Sequence, residues 1–435
     1  MRQLIPYLLC ATVSVAAEAR VVTLEAAYDR VAESDQSVRI AWLAARKADY
    51  EPASALTRMG PQLIGTVSGD RLHRSVTSGT PASTFNSRTG TGQVGITLDQ
   101  PLLDMTVFPA YRRGKLISKS TQLQYQALVR QVLLSVTTAY YAVLQQEQIV
   151  VVDQQAVELA KENVEVAEKR AKAGEVTRTD TLRATASYQE NKRTLIESTS
   201  TLDLRRNTLA NLLNMDPSQG IEVREPGDTA APIPSFENLL AKAYAKREDL
   251  QAQELVIHQD EERRKEIRAQ YAPKISAQIS ALSNSLSNTT ANDSDTNSWQ
   301  AGISLSMPFM TGGQREIDLK TSAIQIEQTK LDYDKLRKTI QEEVKTAWVE
   351  VQTLKETIVA LKAEVEAAER GYEDLQSQYK AGTAKSIDVL DALKTLNNAR
   401  KDLAVQSYGY QVALRKLEQV SGVFQEQRVK KATTP

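Results

Sequence analysis

Two long stretches of this chain, residues 135–182 and 343–390, are copies of one segment and align without a gap at an offset of 208. SVTTAYYAVLQQEQ in the first copy matches EVKTAWVEVQTLKE in the second, and KAGEVTRTDTL matches KAGTAKSIDVL. Self-similarity at a fixed spacing indicates a repeat architecture. The sequence therefore predicts a scaffold with internal pseudo-symmetry, which limits the fold more than any short motif could.

Each copy is predicted to form a long helical hairpin. No proline interrupts residues 110–172 or 311–380, and at ~1.5 Å per residue such a helix is on the order of 100 Å long. Gly174 and Gly382 suit left-handed C-caps, and Thr179 and Ser386 are candidate N-caps of the returning helices. An apolar heptad then favours antiparallel coiled-coil packing; its members are Tyr188, Leu195, Leu202 and Leu209 in the first copy and Leu396, Leu403, Tyr410 and Leu417 in the second.

Four segments alternate apolar and polar residues with a period of two, at about 62–74, 92–101, 274–286 and 298–308. This pattern predicts strands with one apolar face, and the polar stretches at 75–92 and 287–298 are predicted to be exposed loops that close two hairpins. Lipid tolerates no open sheet edge, and a barrel needs about eight strands. Either a small sheet packs on the helices outside a membrane, or several chains share one barrel.

The ends and the charge balance limit where the chain works. Residues 1–19 have an early cation, an apolar run and an Ala-Glu-Ala site, which predicts a secretory signal peptide; the alternative is a short buried helix. The one cysteine, Cys10, lies inside this segment. With 54 basic and 54 acidic residues, the chain is not expected to bind nucleic acid. No later stretch is uniformly apolar over about 18 residues, so no transmembrane helix is expected.

The sequence offers little for catalysis. Two distant histidines, His73 and His258, and a single cysteine leave few candidate metal ligands or nucleophiles. No metalloprotease, hydrolase, P-loop or dinucleotide-binding motif is present. We therefore predict that the protein is not an enzyme and has no metal site and no cofactor.

The order of elements resembles the TolC family of outer-membrane efflux channels. A signal peptide, short helices, a strand pair and a long hairpin follow one another and are repeated once; the turn Tyr379-Lys380-Ala381-Gly382, which runs into Ile387–Ala392, is the most specific part. The resemblance implies a mainly α fold with a membrane β-barrel part. In a homotrimer, coiled-coil hairpins would form an α-barrel, and each chain would give four strands to one twelve-stranded β-barrel.

This interpretation divides the chain into five parts. They are the signal peptide at 1–19, a first repeat at 20–215 with its hairpin at about 102–214, a linker at 216–235 with four prolines, a second repeat at 236–422 with its hairpin at about 311–421, and a C-terminal tail at 423–435.

The resemblance implies a passive exit duct in the outer membrane, with the helical part in the periplasm, for a tripartite efflux pump or a type I secretion system. Implied partners are a periplasmic adaptor (membrane fusion protein), an inner-membrane transporter of RND or ABC type, and outer-membrane lipid. The cargo stays open among drugs, metals and secreted proteins. The alternative is a soluble periplasmic coiled-coil adaptor or scaffold, against which two hairpins and two strand pairs count.

The resemblance also implies a gate at the helical tip. The family's entrance ring of aspartates falls on Asp388 and Asp391, its closing tyrosine on Tyr379, and a further aspartate on Asp180. Asp180 and Asp388 also lie where a carboxylate stabilises the start of a helix. Asp388 and Asp391, three residues apart, repel each other on one helix face, which fits a water-filled lumen or a bound cation.

One gate residue departs from the family's pattern. The arginine expected between the tyrosine and the aspartates is replaced by Ala384. The adjacent Lys385 is therefore a candidate substitute.

Overall fold

The fold is taken from a computed structural model, which describes residues 20–79, 81, 83–216, 220–227, 233–288 and 294–433. The predicted signal peptide, with Cys10, lies outside the described residues. Most of the described residues are helical, which confirms the mainly α part of the predicted fold class. In chain order the elements are β1 (Arg20–Val22), α1 (Leu24–Ser34), α2 (Gln36–Ala48), α3 (Glu51–Thr57), β2 (Gln62–Ser78), β3 (Ser83–Leu103), α4 (Val107–Lys172), α5 (Arg178–Leu212), β4 (Ile221–Val223), α6 (Phe236–Lys246), α7 (Glu248–Ala269), β5 (Lys274–Asn288), β6 (Ser294–Ser306), α8 (Gln314–Ala381), α9 (Ser386–Val420) and α10 (Glu426–Thr433).

The chain divides into two compact units. Unit 1 contains the residues up to Ala41, Tyr125–Glu248 and the chain from Arg337 onward; unit 2 contains Trp42–Gln124 and Asp249–Leu336. Unit 1 holds the hairpin turns between α4 and α5 and between α8 and α9, whereas unit 2 holds the four long strands.

The predicted N-caps of the returning helices are wrong. Helix α5 begins after Thr177, whose hydroxyl accepts the Asp180 backbone N–H at 3.3 Å; Thr179 lies inside the helix. Helix α9 begins at Ser386, behind Lys385, whose side chain makes no capping bond. In the first hairpin the Thr177–Asp180 capping box satisfies two backbone donors reciprocally, and this fixes the earlier start of α5.

The heptad residues lie on the packed side of the hairpins. Leu202, Leu209, Leu396 and Leu417 are buried, and the other four heptad residues are half-buried. Burial of a leucine stabilises a fold by about 1.5–3 kcal/mol. These positions therefore belong to the core of unit 1.

Helix α4 is the one helix in the described ranges that is long and apolar enough to cross a membrane by length and composition alone. Half of that stretch is buried inside the fold, and Val129, Leu133, Val136 and Tyr140 are buried core residues. The sequence predicted no such stretch, because polar residues interrupt every long apolar run. The structure gives these apolar side chains a place in the core of unit 1.

Unit 2 contains an antiparallel sheet in the order β2-β3-β5-β6. The predicted loops at 75–92 and 287–298 are wrong over most of their length, since β2 continues to Ser78, β3 already begins at Ser83 and β6 at Ser294. Backbone pairing does not require apolar side chains, so serine- and threonine-rich stretches extend the ladder beyond the apolar alternation. Strands β2 and β6 are edge strands and pair with one neighbour each among the described strands.

The two faces of the sheet differ in polarity. One face, here the apolar face, carries Leu63, Val67, Val94, Ile96, Leu98, Ile279, Trp299, Ile303 and Leu305 in register. The polar face carries Thr66, Ser68, Gln93, Thr97, Gln278, Ser280, Ser298, Gln300 and Ser304.

Along β3, the polar face of the sheet is more crowded than the apolar face. Gln93 and Thr97 on that face of β3 are half-buried, whereas Val94 and Ile96 on the other face are exposed. A Cβ added to Gly95, on the polar face, would lie 2.9 Å from Leu282 Cδ1 and 3.0 Å from Thr66 Oγ1.

A second, two-stranded sheet in unit 1 was not predicted. Strand β1 pairs in parallel with β4. Strand β4 lies within the segment at 216–235 that was predicted to be a linker. The buried Tyr140 hydroxyl lies 3.0 Å from the Val22 carbonyl and 2.5 Å from the Arg224 carbonyl. Three-residue strands are too short to show a periodicity, and the sequence therefore gave no signal for them.

Candidate gate at the helical tip

Two glycine turns, here the tip turns, join α4 to α5 and α8 to α9. Gly174 and Gly382 have φ angles of +79° and +88°, which glycine adopts without strain. The Glu175 N–H donates to the Arg170 carbonyl and the Thr383 N–H to the Gln378 carbonyl, both at 2.9 Å. These bonds span six residues and close the helix ends as Schellman motifs do. The turns are therefore fixed by local backbone geometry.

Asp180 stabilises the start of α5. Its carboxylate accepts the Thr177 hydroxyl at 2.7 Å and the Thr177 backbone N–H at 3.1 Å. These hydrogen bonds hold the pKa of the Asp180 carboxyl below its ordinary value, because they favour its charged form. The geometry supports a capping role for Asp180; its part in a gate network stays a prediction.

Asp388 and Asp391 are both exposed on the first turns of α9. Neither carboxylate forms an ion pair with another residue in the part of this chain that the structure describes. Asp391 lines a cleft of about 410 Å³ between α5 and α9, together with Arg183 and Lys394. Asp388 does not line this cleft.

Arg170, which the sequence did not single out, contacts Tyr379. Its guanidinium carbon lies 4.8 Å from the centre of the Tyr379 ring, and Nη1 donates to the Tyr379 carbonyl at 2.5 Å. Nε also donates to Glu175 at 2.9 Å. A cation near the last carbonyls of a helix is favourable, so the position of Arg170 at the end of α4 was an available signal. No sequence signal indicated that its partner would be Tyr379 on another helix.

Lys385, the predicted substitute for the family's arginine, is exposed. Among the residues that the structure describes, it has no ion-pair partner within the chain. Instead, Arg170 from the first hairpin lies over the Tyr379 ring. A role for Lys385 stays a prediction.

Below the tip turns lies a packed cluster from α4, α8 and α9. Tyr379, Tyr372, Val389, Leu393 and Leu396 are each at most 3% exposed. Asn163 Nδ2 donates to the Tyr372 hydroxyl at 3.2 Å. Lys380 bonds Glu162 at 2.8 Å. A movement of α8 and α9 away from α4 would have to break these contacts and expose apolar surface, which costs free energy.

The Tyr379 hydroxyl is buried and has no hydrogen-bond partner in the described part of the chain. A buried unsatisfied hydroxyl costs about 1–3 kcal/mol. We therefore expect Tyr379→Phe to raise the thermal stability of the purified protein slightly, measured by circular dichroism in detergent. The matched variant Tyr372→Phe removes a hydroxyl that accepts from Asn163 and should lower it. A fall for Tyr379→Phe would mean that the hydroxyl has a partner in the assembled protein.

No group of three or more His, Cys, Asp or Glu side chains that could hold a metal ion occurs in the described ranges. The predicted gate residues thus form a turn-and-carboxylate arrangement. What its exposed carboxylates can do chemically is attract cations.

Comparisons with known proteins cover most of the chain. The sequence profile of the family described as outer membrane efflux protein matches residues 27–215 and 239–423. The chain is 24% identical to the outer membrane efflux protein BepC of Brucella suis over 376 residues, which cover 83% of this chain and 78% of BepC. It is 24% identical to the alkaline protease secretion protein AprF of Pseudomonas aeruginosa, over 76% of this chain and 69% of AprF.

The solved structures agree on the fold. The Campylobacter jejuni CmeC outer membrane channel superposes with a TM-score of 0.76 at 16% identity, over 94% of this chain and 89% of CmeC. CusC superposes with a TM-score of 0.78 at 17% identity, over 92% of both chains.

Proposed function

The chain belongs to the outer membrane efflux protein family, and from that premise we propose that three copies form one channel-tunnel, a passive exit duct. The protein is located in the outer membrane. Family and location both confirm predictions made from the sequence. Further parts of the proposal are that the tip turns face the periplasm, that a periplasmic adaptor docks near them, and that an inner-membrane transporter of RND or ABC type supplies the energy.

The open sheet in unit 2 is the observation that carries the assembly of several chains, and the number three comes from the family resemblance. Among the described strands, its edge strands β2 and β6 each pair on one side only, and one of its faces is apolar. Backbone groups on an open edge would be unsatisfied in lipid, so strands that cross a membrane must close into a barrel. Four strands fall short of the roughly eight that closure needs, and further copies of the chain would supply the missing ones.

Light scattering of the detergent-solubilised protein tests this assembly. We expect three times the mass of one chain after the detergent contribution is subtracted. Only an oligomer leaves no edge strand unpaired, so a stable, folded monomer would contradict the proposal. A dimer would contradict the twelve-stranded barrel in particular.

We further propose that the tip turns of three chains form the closed entrance of the duct. Exposed Asp388 and Asp391 would line it, and contacts such as that of Arg170 with Tyr379 would hold the closed packing within each chain. The proposed duct performs no catalysis. The alternative of a soluble adaptor is not favoured, since the family match spans both halves of the chain. The cargo is left open, because relatives bear the names of both efflux and protease secretion proteins.

A further inference from the structure

Three basic side chains lie together on the apolar face of the sheet, close to its turn end. Arg71 and His73 belong to β2 and Arg88 to β3, and His73 and Arg88 are direct cross-strand partners. Side chains directly opposite in an antiparallel pair have Cβ atoms about 4.5–5.5 Å apart. Arg71 is two residues from His73, about 7 Å along the strand. All three are exposed; we call them the basic patch.

The patch follows directly on the apolar part of the same face. Along β5, the apolar part of the face extends from Ile275 to Ser283, the partner of Val94 in β3. These two positions are eight residues apart. That is about 26 Å along the strand, or roughly 20 Å along the membrane normal at a typical barrel tilt. The apolar band of a membrane barrel is about 25 Å tall. The band here thus has nearly the height of the hydrocarbon layer, and the basic patch lies just beyond it.

Arg71 is the member of the patch that lies nearest to the depth of the lipid headgroups, and His73 and Arg88 lie two residues further out. Arg71 is four residues beyond Val67, about 13 Å along the strand and roughly 10 Å along the normal. A long arginine side chain can extend its charged end back toward the interface. Between the two, Gly69 pairs with Gly92, so no side chain of β2 or β3 covers this row of the face.

The charge on this face is uneven. No acidic residue lies on the apolar face of β2 or β3, since Asp70 and Asp99 lie on the polar face. Within the described strands, the acidic residue on the apolar face is Asp295, on β6 at the other edge. The patch is therefore a local cationic surface, and guanidinium groups bind phosphate oxygens in a bidentate manner.

We propose that the basic patch binds the phosphate groups of phosphorylated glycolipid in the outer leaflet of the outer membrane. The inference rests on the proposed function for the orientation of the sheet, which places the strand turns outside and the helices in the periplasm. Acyl chains contact the apolar face, and the headgroup phosphates meet Arg71, His73 and Arg88. Arg88 also has an interaction within its own chain, and Asp295 from a neighbouring copy, across the proposed barrel seam, is a further competing partner.

Native mass spectrometry of the full-length protein in detergent, titrated with diphosphoryl lipid A, tests the proposal. The variant Arg71→Gln/His73→Gln/Arg88→Gln should bind the lipid at least twentyfold more weakly, because each arginine near a membrane surface is worth about fivefold in affinity. The matched control is Arg74→Gln, on the same strand but on the polar face, and it should bind within twofold of the parent.

Two further probes identify what the patch recognises. Dephosphorylated lipid A keeps its acyl chains but lacks the phosphate groups. It should bind the parent protein no more tightly than it binds the triple variant. Excess inorganic phosphate should not displace the lipid. Equal loss for Arg74→Gln, equal binding of the dephosphorylated lipid, or full displacement by phosphate would each overturn the proposal.

Light scattering of the same samples separates this inference from the proposed assembly. If the protein is a trimer and the triple variant binds the lipid as tightly as the parent, the lipid site is refuted and the assembly is not. If the protein is a monomer, the assembly is refuted and the lipid site is not. If the triple variant and Asp295→Asn both weaken the trimer while lipid binding is unchanged, the patch serves an ion pair between chains and the lipid site is refuted.

Discussion

A channel with both Asp388→Ala and Asp391→Ala is expected to conduct at concentrations of a trivalent cation that block the parent channel. In the proposed trimer, three chains would bring six of these carboxylates to one opening. A +3 ion about 5 Å from one carboxylate gains about 2.5 kcal/mol even at the dielectric constant of water. Removal of all six should therefore raise the blocking concentration by more than about a hundredfold. Single-channel current in planar bilayers, with the cation added on the side of the tip turns, measures this.

The single variants should differ from each other. Asp391 shares its cleft with Arg183 and Lys394, so Asp388→Ala should weaken the block more than Asp391→Ala. Glu373→Ala, an exposed position on α8, is the control and should leave the block unchanged. A double variant that is blocked as tightly as the parent would show that these carboxylates do not line the entrance, even if the trimer is intact.

Arg130→Met is expected to destabilise unit 1 by about 3–5 kcal/mol, because it leaves a buried carboxylate without its partner. The Arg130 guanidinium donates twice to Glu248, through Nε at 3.2 Å and through Nη2, and once to the Phe424 carbonyl. The two side chains are 4% and 11% exposed. Denaturant unfolding in detergent, followed by circular dichroism, gives the change in the free energy of unfolding.

Two further variants show whether burial is the cause. Arg130→Met with Glu248→Met removes both charges and should recover most of the loss. Arg193→Met breaks an exposed pair with Glu197 whose side chains are 62% and 60% exposed, and should cost under about 1 kcal/mol. Similar losses for Arg130→Met and Arg193→Met would mean that the Arg130 pair is solvated in the assembled protein.

Local chemistry explains what the sequence could predict. A helix that ends in a left-handed turn needs glycine, and a glycine therefore stands at each tip turn, at Gly174 and Gly382. The strand positions followed from period-two alternation. The predicted N-cap of α5, Thr179, lies two residues after the observed one. Thr177 caps the helix instead, because it forms a capping box with Asp180. The ends of β3 and β6 were missed because serine and threonine continue a ladder without an apolar pattern.

Contacts between distant parts of the chain could not be predicted. Arg170 and Tyr379 are 209 residues apart, and no pattern in either hairpin indicates that they meet. The pairing of β1 with β4 is similarly non-local. The sequence also could not predict that the Tyr379 hydroxyl lacks a hydrogen-bond partner in the described part of the chain. The burial of that atom depends on the packing of three helices.

The two ends of the described chain meet in unit 1, and this determines when the fold can be completed during synthesis. Arg428 in α10 pairs with Glu25 and Asp29 in α1, and the Phe424 ring lies edge-on to Tyr28 at 6.2 Å. At about 5–20 residues per second, some 400 residues take roughly 20–80 s to be made. Until then Tyr28 lacks its last aromatic neighbour. An N-terminal fragment that ends before Phe424 would therefore lack part of the packing around Tyr28, and unit 1 is complete only when the last helix is present.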